Sequence, residues 1–300
     1  MSVPYEIVEV GPRDGLQSEA DVLPTEQKLE LIRRLVEAGV RRVEVASFVN
    51  PKRVPQMADA EAVLAALPRR DDVHYVGLVL NRKGFDRALA AGCKEIGMVT
   101  AATDSFAQRN QGASIDETIR AWEEIAPLAH DAGIRAQVTI SASFGCPFEG
   151  EVPAERVVTI AERLARAQPL EIAIADTIGV AVPTQVTGLV ERLKEAVPGA
   201  PLRCHFHNTR NTAVANVYAA AQAGVRVFDS SVGGLGGCPF APNATGNVAT
   251  EDVLYMMSRS GFDAGIDLER MIEVARWLQR VRGKPVPGMV ARAGGFPKIQ

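Results

Sequence analysis

The stretch CHFHNTRNT, residues 204–212, holds the side chains of this chain that are best suited to chemistry. His205 and His207 lie two residues apart there, behind an apolar approach that is typical of a strand. Side chains at positions i and i+2 of a strand point to one face, so both imidazoles can reach one point. Neutral imidazole is the commonest metal ligand, yet two histidines bonded to the backbone would show the same spacing. The pair alone therefore leaves a metal site and a structural role open.

Short apolar segments alternate with helical segments along the chain and decide where those side chains lie. The predicted strands are 5–10, 42–47, 74–80, 95–101, 136–143, 171–176, 202–207 and 225–231. Helical patterns cover 25–38, 55–66, 83–91, 114–132, 153–167, 183–197, 211–223, 250–259 and 267–281. EAGV, AAGC, DAGI and QAGV each precede a strand, which places Gly39, Gly92, Gly133 and Gly224 at helix C′ positions.

This alternation predicts a single α/β domain, a (β/α)8 TIM barrel with an extra C-terminal helical segment. The barrel is expected over about 5–260, with a C-terminal helix and tail over 261–300. VGPRDG after the first strand lacks the GxGxxG pattern of a dinucleotide-binding sheet. The tail 283–300 is rich in glycine and proline and is expected to be loosely ordered.

Composition excludes several classes of partner. The apolar fraction of 47% and the charged fraction of 23% are those of an ordinary globular protein. A net charge of −3 gives no electrostatic reason for binding nucleic acid or an acidic membrane. The four cysteines form no CxxC pair, and no apolar leader or membrane-length run is present. We expect a soluble cytoplasmic protein that forms a homo-oligomer, a dimer or tetramer.

Polar residues collect at the ends of the predicted strands, where the active site of such a barrel lies. They include Arg13, Asp14, Glu44, Ser47, Cys146, Asp176, Thr177, His205, His207 and, in the glycine-rich loop GGLGGCPFAPNATGN, Cys238 and Asn247. Buried charges cost several kcal/mol unless they are paired or bind a metal. Their concentration on one rim therefore predicts an active site.

Several motifs together resemble the 3-hydroxy-3-methylglutaryl-CoA lyase family, within the superfamily of metal-dependent TIM-barrel lyases and Claisen-condensing enzymes. They are VGPRDGLQ (10–17), SFVNPKRVPQM (47–57), GCPFEG (145–150), ADTIGV (175–180), HFHNT (205–209) and GLGGCPFA…TGNVATEDVLYM (234–256). RDGLQ with GLGGCP is specific to that family, whereas ADTIG and HxH occur across the superfamily. The resemblance implies retro-Claisen cleavage of 3-hydroxy-3-methylglutaryl-CoA, or a closely related 3-hydroxyacyl-CoA, to acetyl-CoA and a 3-oxoacid such as acetoacetate, as in leucine degradation.

The resemblance also implies a ligand set for a divalent metal, Mg²⁺ or Mn²⁺, at Asp14, His205, His207 and Asn247. Two nitrogens and two oxygens suit Mn²⁺, while Mg²⁺ prefers oxygen ligands. Glu44 is expected behind this set, where it orients Asp14 or Arg13; a buried ion pair alone is the alternative.

The predicted catalytic residues are Arg13, Cys238, His205, Asp176 and, through its effect on Arg13 or Asp14, Glu44. Arg13 would stabilise charge on the thioester oxygen, and Cys238, on a mobile glycine-rich loop, would protonate the enolate. His205 would add proton transfer to metal binding, and Asp176 is a second acid–base candidate or a structural partner of nearby backbone. The candidate substrate-binding residues are Gln17, Ser47, Thr177 and Arg210.

Departures from the family pattern leave the acyl group open. HFHNTRNTAVAN stands where the family has HxHDTYGQALAN, and AIADTIG stands for SLGDTIG, with Ala173 for a substrate-facing serine. A citramalyl-CoA-like substrate is therefore an alternative, with Arg210 either paired with its carboxylate or solvated. Lys52, Arg53 and Arg109 are candidates for contacts with the CoA phosphates.

Three other functions compete with the lyase. A condensing synthase of the superfamily would carry a different glycine-rich loop from the one ending in GNVATED. A 2-oxoacid aldolase would use the same metal site without CoA. A non-catalytic barrel that binds acyl-CoA or a protein would have no need of Asp14, Arg13 and Cys238 together.

Overall fold

The computed structural model describes residues 2–237 and 246–297. In these residues eight parallel strands close into a barrel in the order of the sequence, with the eighth pairing back onto the first. They are β1 (Glu6–Glu9), β2 (Arg42–Ser47), β3 (His74–Leu78), β4 (Glu95–Ala101), β5 (Arg135–Ser141), β6 (Ile172–Asp176), β7 (Leu202–Phe206) and β8 (Val227–Ser230). The predicted (β/α)8 TIM barrel is confirmed.

Helices connect the strands. They are α1 (Thr25–Glu37), α2 (Ala60–Ala66), α3 (Arg82–Ala90), α4 (Asp104–Gln111), α5 (Ile115–Asp131), α6 (Ala154–Ala165), α7 (Pro183–Ala196), α8 (Ala213–Gln222), α9 (Thr250–Arg259), α10 (Leu268–Arg282) and α11 (Met289–Ala293). The four predicted C′ glycines have φ between 66° and 111°, which lets a helix end and a strand begin within two or three residues. The capping box of Ser114 and Glu117 is present at the start of α5.

Two helical segments differ from the prediction. Residues 55–66 divide into a 3-10 turn, Pro55–Met57, and α2. The unpredicted helix α4 has the polar sequence DSFAQRNQ and buries only Phe106 and Ala107, so its apolar pattern is too sparse to read.

The C-terminal segment docks below the loop that follows β8. Gly288 N donates to Gly233 O at 3.0 Å, and the amides of Met289 and Val290 donate to the Asp252 carboxylate at 3.1 and 2.7 Å. The expectation of a loosely ordered tail is therefore wrong for residues 288–290. Hydrogen bonds from their backbone amides to α9 and to the loop after β8 hold them in place. No helix in the part of the chain that the structure describes is long and apolar enough to cross a membrane.

Candidate active site

Three side chains that could hold a metal ion converge at the carboxyl ends of β1 and β7. Asp14 lies in a π-helical turn, Gly11–Gly15, directly after β1, while His205 is in β7 and His207 follows it. One ligand atom from each lies within 4.8 Å of the others. The strand ends thus bring together the HxH pair and the RD motif, as the sequence predicted.

Asn247 joins the same cluster from the loop after β8. A bridge between His207 and Asn247 holds the two backbones side by side, and Asn247 Nδ2 donates to Asp14 Oδ2 at 2.7 Å. Within the described residues, Asn247 Oδ1 and His207 Nδ1 are buried without a hydrogen-bond partner. Unpaired buried polar atoms are costly, so two such atoms beside a carboxylate fit a bound cation.

The electrostatics of Asp14 and His207 favour metal binding at neutral pH. Burial, and then the neighbouring His205, lower the pKa of His207 to about 3, so its imidazole is neutral. Burial opposes ionisation of Asp14, but Arg13 and then the two histidines outweigh it and lower its pKa to about 2. A neutral imidazole and an ionised carboxylate are the forms that coordinate metal.

Arg13 is held between two carboxylates. Its Nε donates to Glu44 Oε2 at 2.7 Å, and its terminal nitrogens contact Glu44 Oε2 at 2.6 Å and Asp14 Oδ1 at 2.8 Å. Burial raises the pKa of Glu44, while the charge of Arg13 opposes that shift. Glu44 was expected either to orient its neighbours or only to form a buried ion pair. Both descriptions apply, because the ion pair with Arg13 is also the contact that orients Arg13.

Asp229 is a site residue that the sequence interpretation missed. It pairs in register with His205 across β7 and β8, and its Oδ2 lies 3.0 Å from His205 Nδ1. Burial opposes protonation of His205, but the hydrogen bond and charge of Asp229 raise its pKa. An aspartate inside the apolar strand VRVFDSS was the signal that could have identified it.

All of these residues except Asn247 line a cavity of about 1200 Å³. Arg13, Asp14, Glu44, His205 and His207 all face it, together with the predicted substrate-binding residues Gln17 and Thr177. Gln17 Oε1 is buried without a partner in the described residues, whereas Thr177 Oγ1 accepts from Ala142 N at 2.9 Å. Basic side chains line the same cavity: Lys52, Arg53, Lys83, Arg87 and Arg109.

Comparisons with known proteins agree with this geometry. Residues 5–278 match the family model described as HMGL-like. The chain belongs to the HMGL-like family. It is 43% identical to (R)-citramalyl-CoA lyase of Chloroflexus aurantiacus, over 98% of this chain and 96% of that one. It is 45% identical to hydroxymethylglutaryl-CoA lyase of Pseudomonas mevalonii, over 90% of this chain and 89% of that one.

A solved relative has nearly the same fold. The HMG-CoA lyase from Acinetobacter baumannii, in complex with coenzyme A and 3-methylmalate, matches with a TM-score of 0.94 at 37% identity, covering 99% of this chain and 97% of that one. The resemblance read from the motifs is confirmed, and this HMGL-like chain is a carbon–carbon lyase.

The structure gives Asp176 and Arg210 other partners. Both carboxylate oxygens of Asp176 accept backbone amides, from Val180 and Ala181, at 2.9 Å each. Arg210 donates to the carbonyls of Ile178 and Gly179 at 3.0 Å each. Neither residue lines the cavity in the described part of this HMGL-like chain. The geometry therefore supports the structural alternative for Asp176 and gives Arg210 backbone partners, while the substrate-binding role of Arg210 stays a prediction.

Three further predictions concern Ser47, Ala173 and Cys238. Ser47 is fully buried at the end of β2 and does not line the cavity formed by the described residues. Ala173 is also fully buried and lies deeper in β6, whereas Ala175 faces the cavity. The prediction for Cys238 lies outside the residues that the structure describes.

Proposed function

We propose that this chain cleaves 3-hydroxy-3-methylglutaryl-CoA to acetyl-CoA and acetoacetate, with a divalent cation held by Asp14, His205, His207 and Asn247. The observation that carries the proposal is the convergence of these four side chains on one point, with the Arg13 guanidinium beside Asp14. A cavity of about 1200 Å³ offers room for an acyl-CoA. A role of this protein in leucine degradation would follow only if 3-hydroxy-3-methylglutaryl-CoA is its substrate.

The donor set supports Mn²⁺ or Mg²⁺. Two imidazoles and two oxygen ligands suit Mn²⁺ better than Mg²⁺, which prefers oxygen throughout. When bound, the cation would lower the pKa of the tertiary hydroxyl of the substrate and stabilise the alkoxide. Asp14 and His207 already have the charges that this requires, since Asp14 is ionised and His207 is neutral.

Arg13 supplies the fixed positive charge for bond cleavage. As the bond between C2 and C3 breaks, its electron pair moves into the thioester and negative charge collects on the thioester oxygen. A guanidinium already tied to Glu44 and Asp14 needs no reorganisation to meet that charge. Arginine stays protonated throughout, so Arg13 acts as an electrostatic group and not as an acid.

Proton transfer is divided among the remaining candidates. With His205 Nδ1 bonded to Asp229, only Nε2 is left for the cavity, so metal binding and proton transfer by His205 compete for one nitrogen. Glu44 uses Oε2 for Arg13 and keeps Oε1 for the cavity that it lines. Glu44 is therefore the carboxylate proposed to accept the hydroxyl proton, and Cys238 remains the proposed donor to the enolate.

Citramalyl-CoA is the second candidate substrate. It lacks one methylene between the free carboxylate and the hydroxyl-bearing carbon, and the same bond cleavage would give acetyl-CoA and pyruvate. The observation that favours it is 43% identity, over 98% of this chain, to a relative named (R)-citramalyl-CoA lyase. Both reactions use the same metal site and Arg13, so the choice depends on how the pocket fits the acyl group.

A panel of acyl-CoA substrates tests the proposal. The purified protein, stripped with a chelator and reloaded with Mn²⁺ or Mg²⁺, is assayed for acetyl-CoA release from 3-hydroxy-3-methylglutaryl-CoA, citramalyl-CoA and 3-hydroxybutyryl-CoA. We expect metal-dependent release from one of the first two compounds and none from the third, which lacks the tertiary alcohol and second carboxylate. The oxoacid product, acetoacetate or pyruvate, distinguishes the two candidate substrates.

Two histidine variants test whether activity depends on the proposed metal ligands. His207→Ala removes a proposed ligand and should lower the rate by several orders of magnitude, while His130→Ala, on the exposed side of α5, should leave it unchanged. Full activity in His207→Ala, or no acetyl-CoA from any compound in the loaded wild type, refutes the proposal. The expected homo-oligomer stays a prediction, which light scattering after gel filtration checks.

A further inference from the structure

A column of buried charges continues from His205 into the barrel. Asp229 contacts His205 Nδ1 through Oδ2 at 3.0 Å and accepts from Arg203 through Oδ1 at 2.8 Å. Arg203 Nε lies 3.0 Å from Glu171 Oε1, so the guanidinium joins two carboxylates. Below them Arg42 contacts Glu171 Oε1 at 2.7 Å.

The column reaches Glu95 in β4, where Arg42 Nε donates to Glu95 Oε1 at 2.7 Å. From Asp229 to Glu95, these side chains are between 0 and 6% exposed. Acids and bases therefore alternate along a chain of contacts that begins at a proposed metal ligand.

Stability alone is a poor reason for such a column. Taking charged groups out of water costs several kcal/mol each, and well-packed apolar side chains of similar volume are often as stable or more so. The ends of the contact chain also differ: Glu95 contacts Arg42 and the partly exposed Arg135, whereas Asp229 both faces the cavity and contacts His205. The function must then lie at the Asp229 end.

We propose that Asp229 is a positioning residue, which fixes the tautomer and ring orientation of His205 for the metal. A carboxylate that accepts from Nδ1–H leaves the lone pair on Nε2, the nitrogen on the opposite side of the ring. Arg203 occupies the other oxygen of Asp229, so the carboxylate cannot rotate away from His205. Asp229 acts through His205, and the inference rests on the proposed metal site.

Metal affinity and tautomer are the readouts, because neither follows from a merely structural role. Asp229→Asn should weaken Mn²⁺ binding, measured by calorimetry on the stripped protein, by about 10- to 100-fold. Arg203→Lys keeps the charge but loses the two-pronged contact, and an intermediate loss is expected. The matched control is Asp252→Asn, the same substitution in a carboxylate that also accepts two hydrogen bonds but lies outside the cavity. Its Mn²⁺ affinity should stay within about twofold, since Asp252 is not a hydrogen-bond partner of any proposed ligand.

The wild type gives a second test that does not depend on a variant folding. In the Mg²⁺-loaded, ¹⁵N-histidine-labelled protein, His205 should show the tautomer protonated at Nδ1, with its signal assigned by its loss in His205→Gln. Protonation at Nε2 overturns the inference, as does a folded Asp229→Asn that binds Mn²⁺ like the wild type. If the wild type itself binds no Mn²⁺, the proposed metal site fails first, and the inference fails with it.

Discussion

Replacement of Arg13 tests the electrostatic core of the proposed reaction. Arg13→Met keeps most of the length of the side chain but removes the guanidinium that contacts Glu44 and Asp14. Arg13→Lys keeps a positive charge, but an ammonium group cannot span both carboxylates as the planar fork does. The two variants therefore separate charge from geometry.

The magnitudes follow from the contacts. Losing one preorganised donor to a developing oxyanion costs about 10²- to 10³-fold in rate, and Arg13 also carries a full charge. We expect Arg13→Met to lower kcat/KM by at least about 10³-fold and Arg13→Lys to fall between it and the wild type. The Glu44 side chain is 9% exposed, and breaking a buried pair costs about 3–5 kcal/mol in free energy of unfolding.

A double variant separates catalysis from stability. Glu44→Gln in the Arg13→Met background removes the orphaned carboxylate, so most of the lost unfolding free energy should return. The activity should not return with it, because the positive charge is still absent and the proposed base is now missing as well. Rates are measured as acetyl-CoA release, and stability is measured by chemical denaturation of the same samples. An Arg13→Met protein that turns over within tenfold of the wild type would refute the reasoning.

Two further predictions concern residues around the site. Burial raises the pKa of Glu251 from 4.5 to about 8, so between about pH 5 and pH 8 the folded chain keeps a proton that the unfolded chain has released. Stability should fall as pH rises through this window, by up to about 1.4 kcal/mol per pH unit, and Glu251→Gln should flatten the fall in a series of denaturation curves; an unchanged slope contradicts the assignment. Arg210→Ala should leave kcat/KM unchanged and lower the unfolding free energy by about 0.5–1.5 kcal/mol through two lost bonds to backbone. A rise in KM for the acyl-CoA would return Arg210 to substrate binding.

The sequence predicted those parts of the molecule that local rules determine. β2 and β4 begin and end where their apolar runs do, and the C′ glycines are fixed by the backbone conformation that they must adopt. The meeting of Asp14 with His205 also follows from a general rule, because the carboxyl ends of parallel barrel strands share one rim.

The sequence could not show in the same way which side chains form hydrogen bonds with one another. Asp229 and His205 are 24 residues apart in the chain, and only the register of β7 against β8 places them side by side. Asp176 presented the opposite difficulty: its motif suggested chemistry, but the turn after β6 aims two amides at its oxygens. Such bonds depend on turn geometry, which residue types alone do not fix.

The charged side chains next to the proposed metal ligands indicate a second role for the cation. Among the described residues near the cluster, three carboxylates, Asp14, Glu44 and Asp229, meet only two guanidiniums, Arg13 and Arg203. A substrate that brings its own carboxylate and then develops an alkoxide would add like charge to this site. A divalent cation would reverse the sign of this local excess, so in the proposed site it would favour binding of the substrate carboxylate as well as activate its hydroxyl.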